Sequence, residues 1–203
     1  MSCPFSDSIK LGPDGKVPAC RLVLVGSSGC GKRSLVRAYH GHTVRADAAE
    51  SDEAVTDSEL LGRLEVPLGP HMAPADIVYS SDTDWKHVLT KDLSRTLFVF
   101  TYAIDDRSSF DAVPGLLEEL KEAAAAEGKC DELKLTLLCC KRDRRFSTEE
   151  FVKATEACAY RSRNGFLNFA QTSATEVDNT RDAFRELVKA AHTPKSPDNC
   201  LIM

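Results

Sequence analysis

No stretch of the 203 residues is apolar for the roughly 20 consecutive positions that a bilayer span takes. The N-terminus, MSCPFSDSIK, also lacks the apolar core of a secretory signal. The chain is expected on the cytosolic side. A surplus of positive charge is missing too. The formal net charge is −5 and the pI is near 5.6. A general nucleic-acid binder shows a basic stripe, so no nucleic-acid partner is expected. The sequence has no internal repeat. Its eight cysteines (Cys3, Cys20, Cys30, Cys130, Cys139, Cys140, Cys158 and Cys200) show no paired zinc spacing. They read as reduced thiols, several of them small core residues. The adjacent pair Cys139-Cys140 lacks C-x-x-C geometry and fits the end of a buried strand.

What is present suits one α/β domain. With 42% hydrophobic and 28% charged residues, the chain can build a core that stands without staples. Residues 1–18, with Pro4, Pro13, Pro18 and two glycines, read as a flexible leader; 19–191 form the domain and 192–203 a flexible tail. Apolar, β-branched runs predict strands at Ala19–Gly26, Arg95–Ile104, "LKLTLLCC" and "FLNFAQ", while "LLGRLEVPL" and "ADIVYS" are candidate strands that can pair. Helical spacing marks "KRSLVRAYH", Phe110–Glu127, Ser147–Arg161 and Thr180–Ala191, the third opening on a capping box, Ser147-x-x-Glu150. His40–Asp57 is polar and acidic without periodicity, a long loop. Alternating strands and helices predict a mostly parallel sheet covered on both faces.

Between the first strand and its helix lies "GSSGCGKR". Gly26, Gly31 and Lys32 complete G-x-x-x-x-G-K, the pattern of a phosphate-binding loop. Backbone N–H groups of Gly26, Ser27, Ser28, Gly29, Cys30 and Gly31, together with the helix N-terminus, would cradle a β-phosphate, and Lys32 would add a point charge. The next residue should be a Ser or Thr that binds magnesium; it is Arg33, followed by Ser34.

Three further segments, "YAIDDRSSFDAV", "CKRD" and "TSAT", each follow a predicted strand. In that order and spacing, from about Ala19 to Ala191, the chain resembles the Ras superfamily of small GTPases. The resemblance implies a single P-loop G domain with a mostly parallel six-stranded sheet, binding GTP or GDP. In N-K-x-D the family's aspartate accepts from guanine N1–H and the exocyclic amine, while the lysine stem lies over the base. Asp143 and Lys141 match, but Cys140 replaces the asparagine that ties neighbouring loops together. Ser173 and Ala174 match S-A-K, whose backbone N–H meets guanine O6, with Thr175 in place of lysine.

The family's hydrolytic groups fare worse. D-x-x-G best matches Asp82 to Trp85, so the aspartate that reaches magnesium through water is kept and the glycine that senses the γ-phosphate is lost. The water-orienting glutamine falls at Lys86. Thr56 fits the first switch threonine and Thr43 rivals it, while each reads equally as an ordinary loop threonine. Trp85 reads equally as a partner anchor or as core filler. Ser28 occupies the loop position that tends to obstruct the catalytic glutamine and a partner's arginine finger. At about 4 Å and an effective dielectric near 20, a guanidinium repels a dication by about 8 kcal/mol. Arg33 therefore either swings to solvent, leaving magnesium one ligand short, or takes the cation's place. Ser34 points about a hundred degrees away along the helix and is no substitute.

The last four residues, Cys200-Leu201-Ile202-Met203, form a prenylation box, with Met favouring farnesyl. One lipid without a polybasic patch gives marginal, reversible membrane binding. The expected location is the cytoplasmic face of plasma membrane or endomembranes, with a cytosolic pool. Expected partners are a prenyltransferase at the C-terminus, and effectors and regulators at the switch loops. Two functions fit: a lipid-tethered GTP-binding signalling protein with poor intrinsic GTPase activity, or a pseudo-GTPase that presents interaction surfaces without a nucleotide cycle. An ATPase reading fails on the missing signature loop and post-strand glutamate.

Overall fold

The computed structural model describes residues 9–41, 63–79, 85–145 and 151–194. Six strands form one sheet: β1 (Cys20–Val25), β2 (Arg63–Leu68), β3 (His71–Tyr79), β4 (Thr96–Ala103), β5 (Leu135–Cys140) and β6 (Asn168–Gln171). Their order is β2-β3-β1-β4-β5-β6. β2 and β3 pair antiparallel as a tight hairpin, with Glu65 opposite Pro74 and Gly69 in the turn at φ 62°. All other pairings are parallel. β2 lies at the edge of the sheet and contains Pro67. An edge strand tolerates a residue that cannot donate to a ladder.

Side-chain alternation divides the core into two layers. Val23, Val25, Phe98, Phe100, Tyr102, Leu137 and Cys139 point to one face. Leu22, Leu24, Leu97, Val99, Leu138 and Cys140 point to the other. The first face is covered by α2 (Trp85–Leu89), α3 (Arg107–Asp111), α4 (Val113–Ala126) and α5 (Ala154–Arg163). The second is covered by α1 (Lys32–Tyr39) and α6 (Val177–His192), through Leu35, Val36, Phe184, Leu187 and Val188. β4 and β5 are buried along their whole length, which is why they read as unbroken apolar runs. The expected α/β class, sheet size and two-sided cover are observed.

Three boundaries differ from the sequence reading. The Phe110–Glu127 helix starts earlier and is broken: Asp106 caps α3 by accepting from the Ser108 and Ser109 N–H groups. Pro114, lacking an N–H for the Phe110 carbonyl, stops that helix from continuing unbroken. The Ser147 capping box lies outside the described residues. The helix assigned to it begins only at Ala154, because Val152 is fully buried and its N–H donates to the Ile104 carbonyl at 3.1 Å. The part of the leader from Ile9 to Pro18 is anchored to the domain at its two ends, with most of 10–16 exposed. Val17 is buried, Ile9 touches the second core layer, and the Pro18 carbonyl lies 3.0 Å from His192 Nε2. Leu35, Phe184 and Val17 all sink into one apolar layer, which outweighs the local breaker signal of Pro13 and Pro18.

A buried lysine holds the end of the sheet away from the phosphate loop. Lys134, 5% exposed, donates to the carbonyls of Ser94 at 2.6 Å and Ala191 at 2.7 Å. Burial lowers its pKa. Cys20 and Cys139 move the opposite way, each pushed up to about 12 by burial, and burial raises Cys140 well above its ordinary value. A thiol that keeps its proton in the fold but loses it in the unfolded chain contributes stability below pH 9, which fades as pH climbs toward 12. At pH 9.5 the loss is about 0.8 kcal/mol per thiol and about 2.5 kcal/mol for the three. Lys134 works in the other direction and offsets a fraction of it. Urea unfolding under reducing conditions should show a clearly lower midpoint at pH 9.5 than at pH 7.5. Equal midpoints would mean that the thiols ionise inside the fold.

Candidate functional site

Four loops meet at the carboxyl ends of the parallel strands, the usual position for a ligand in an open α/β sheet. They follow β1 (residues 26–31), β4 (104–106), β5 (141–145) and β6 (172–176). The sequence motifs quoted above fall on these loops, so the fold brings together the glycine loop and both segments expected to read a base.

The first loop is shaped by three glycines with positive φ: Gly26 at 147°, Gly29 at 75° and Gly31 at 105°. Gly26 sits directly on β4. A Cβ there would lie 2.2 Å from the Thr101 carbonyl oxygen and 2.5 Å from its Oγ1. Thr101, fully buried, donates its hydroxyl to the Val25 carbonyl at 2.7 Å and meets Cys30 Sγ at 3.2 Å, which pins the underside of the loop. Gly31 caps α1, and the Leu35 N–H donates to its carbonyl at 3.0 Å. Lys32 curls over the loop and donates to the carbonyls of Gly26 at 2.6 Å and Ser27 at 2.7 Å. Its third donor meets Cys30 Sγ at 3.7 Å, a weak acceptor that a phosphate oxygen would displace. Ser28 and Gly29 form the exposed tip. Arg33, the second residue of α1, is exposed, and Ser34 beside it is half-buried.

The base-reading side is built from β5 and β6. Cys140 ends β5 fully buried, and its Cβ would lie 3.3 Å from a Cβ at Gly31. The thiol therefore packs against the phosphate loop, where an asparagine would have bonded to it. Cys139 and Cys140 are separate free thiols, as the strand reading expects. Lys141 then turns left-handed at φ 58° and starts a single 3-10 turn over Arg142–Arg144. Asp143 is exposed and accepts a short hydrogen bond from the Ser173 hydroxyl. Ser173 is buried; its N–H donates to Asn179 Oδ1 at 3.0 Å and its carbonyl accepts from Thr180 Oγ1 at 2.9 Å. Ala174 is half-buried and Thr175 exposed, with the Thr175 hydroxyl 2.7 Å from that of Ser173.

Sequence reasoning missed several supporting residues: Thr101, Asp105, Arg142, Glu176 and Asn179. Asp105 lies beside the turn, 3.2 Å from Arg144 Nη1 and 4.0 Å from Lys141 Nζ. Arg142 pairs with Glu176. No local pattern marks the contacts of Thr101, Asp105, Arg142 and Glu176, because each joins segments more than 30 residues apart, whereas Asn179 bonds locally, six residues from Ser173. Thr56, Asp82 and Cys200 lie outside the described residues, as does Thr43. Trp85 and Lys86 open α2 rather than forming a loop.

A glycine loop seated on the central strand, a lysine held at its mouth and an Asp–Ser pair on the next two strands define a P-loop nucleotide-binding α/β domain. Three positive-φ glycines with a lysine ammonium folded over them suit a phosphate chain. The model of the Ras family matches residues 86–193, and the chain belongs to that family. Among curated proteins none matches it. Membership makes the ligand a guanine nucleotide and the protein a Ras-like small GTP-binding protein, of a fold that generally engages effectors and regulators. The matched span includes Asp143, Ser173 and Ala174. The phosphate loop lies outside it and is assigned by its own geometry.

Proposed function

We propose that this chain is a membrane-tethered, Ras-like signalling protein that holds GTP or GDP with an altered magnesium site and hydrolyses GTP slowly. The observation that carries the reading is the convergence of Lys32, Asp143 and Ser173 at one end of the sheet, with Arg33 at the first turn of α1. Gly26, Ser27, Ser28, Gly29, Cys30, Gly31, Lys32 and Ser34 line the phosphate side; Cys140, Lys141, Asp143, Ser173, Ala174 and Thr175 line the base side. Residue 33 does not fit a metal ion: at the sequence position where the family's phosphate loop offers magnesium a hydroxyl oxygen, this chain offers a guanidinium. What the chain's own residues do is bind and orient. Loop N–H groups and Lys32 neutralise phosphate oxygens, and Asp143, steadied by Ser173, accepts from the base.

Lys86, at the position of the family's water-orienting glutamine, favours a second reading: a pseudo-GTPase that presents surfaces to partners with no nucleotide cycle. Thr56, Asp82 and Trp85 would mark the switch region in the first case and a fixed docking surface in the second.

Affinity for GTP, GDP and ATP, measured with magnesium and with a chelator, separates the two. Guanine binding that survives chelation is expected of a chain in which Arg33 substitutes for the cation. Arg33→Ser should then make affinity magnesium-dependent, about tenfold weaker in chelator, since one charge-assisted phosphate contact of roughly 1.5 kcal/mol is removed. No binding at high micromolar nucleotide would leave the scaffold reading.

Cys200 is the proposed farnesyl acceptor, and the location proposed is the cytoplasmic face of membranes with a cytosolic pool. Incubated with a farnesyltransferase and its lipid donor, the chain should gain one lipid and partition weakly onto vesicles. Cys200→Ser should gain none. A wild-type chain left unmodified would end the lipid-tether part of the reading.

A further inference from the structure

The turn that carries Asp143 is gripped from two sides by carboxylates. On one side Asp105, just after β4, meets Arg144 Nη1 at 3.2 Å and stands 4.0 Å from Lys141 Nζ. Its side chain is only 12% exposed, and its Oδ1 is buried with no hydrogen-bond partner. On the other side Glu176, which precedes α6, accepts a short bond from Arg142 Nη2. The turn needs such support. Lys141 is the sole described non-glycine residue with positive φ, a conformation that persists only where surroundings over-determine it. The Arg142 N–H reaches the Thr172 carbonyl at 3.1 Å, and the Arg144 N–H bonds within the turn to the Lys141 carbonyl at 2.8 Å. Cys140 contributes packing against Gly31 and no amide.

We propose that Asp105 and Glu176 are positioning residues: together they form an ionic brace that sets the Lys141–Arg144 turn for base reading, so that nucleotide retention falls with rising salt. The inference rests on the guanine-binding reading above. Asp105, being better buried, is the stronger arm; Glu176 and Arg142, 42% and 40% exposed, are more open to screening. Raising ionic strength from 0.1 M to 1 M shrinks the screening length from about 10 Å to about 3 Å, enough to loosen the exposed arm.

The test is release of fluorescent GDP from the full chain at 50 mM and 500 mM KCl. Wild type should release several-fold faster at high salt. Asp105→Asn and Glu176→Gln should each release about two- to fivefold faster at low salt, with the salt dependence flattened in Glu176→Gln and kept in Asp105→Asn. Arg142→Glu combined with Glu176→Arg should recover slow release that neither single reversal has. A merely structural loss would not be rescued by that exchange. Wild-type release rates in both neutral variants, or an exchange no better than its single components, would overturn the brace. If wild type binds no guanine nucleotide, the function proposed above fails while the brace is still read in the nucleotide-free chain. There, amide exchange at 142–145 should be about two- to fivefold faster in the variants at unchanged melting temperature. Equal exchange would overturn it.

Discussion

Gly26→Ala should unfold much of the protein or cost about 3 to 5 kcal/mol of stability, with nucleotide binding lost in parallel. Two effects add. The residue has φ 147°, a conformation that side chains rarely adopt, and its new Cβ would fall 2.2 Å from a backbone oxygen of Thr101. That oxygen belongs to a fully buried strand with parallel neighbours on both sides and has little room to retreat. Gly29→Ala is the informative control. It too has positive φ, 75°, yet nothing lies within 4 Å of the added carbon. It should cost only the left-handed strain of about 1 to 2 kcal/mol. Denaturant unfolding of the two variants separates clash from strain. Equal, small losses would show that β4 yields under the loop.

Asp143→Asn is expected to weaken GDP binding by 10² to 10⁴-fold. Guanine presents two donors, N1–H and the exocyclic amine, and a carboxylate accepts both. Each hydrogen bond to a charged group is worth roughly 1.5–3 kcal/mol, and the amide replaces one acceptor by a donor. Xanthine presents N1–H beside a carbonyl, which suits an amide, so the variant should favour xanthosine diphosphate. Ser173, which bonds to Asp143, can donate equally to the amide oxygen, so the loop itself should stay in place. Competition between guanosine and xanthosine diphosphates against a fluorescent nucleotide reads both changes at once. Unchanged guanine preference would move the base away from this turn.

What could be read in advance follows from how local each signal is. β4 and β5 announce themselves because burial on both faces leaves an uninterrupted apolar run. The phosphate loop is legible because glycines at 26, 29 and 31 are each required by a positive φ within eight residues of chain. The start of α5 at Ala154 is hidden, because the burial of Val152 and its bond to Ile104 are tertiary facts that no local pattern carries. The anchored leader is hidden in the same way: Pro13 and Pro18 signal a breaker, and only the finished second layer shows where Val17 goes. At the site, Asp143 and Ser173 could be named from motif spacing. Asp105, Arg142 and Glu176 could not, since a charge in "IDD" or "TEV" looks like any solvated charge until the fold sets it against its partner.

The single imidazole of His192, bridging the Val188 and Pro18 carbonyls at 2.9 and 3.0 Å, also fixes where the two ends of the domain emerge. Chain entering at Pro18 and chain leaving after Thr193 share one corner, on the opposite side of the sheet's strand direction from the nucleotide loops. Whatever is attached to one end is thereby held at high local concentration beside the other.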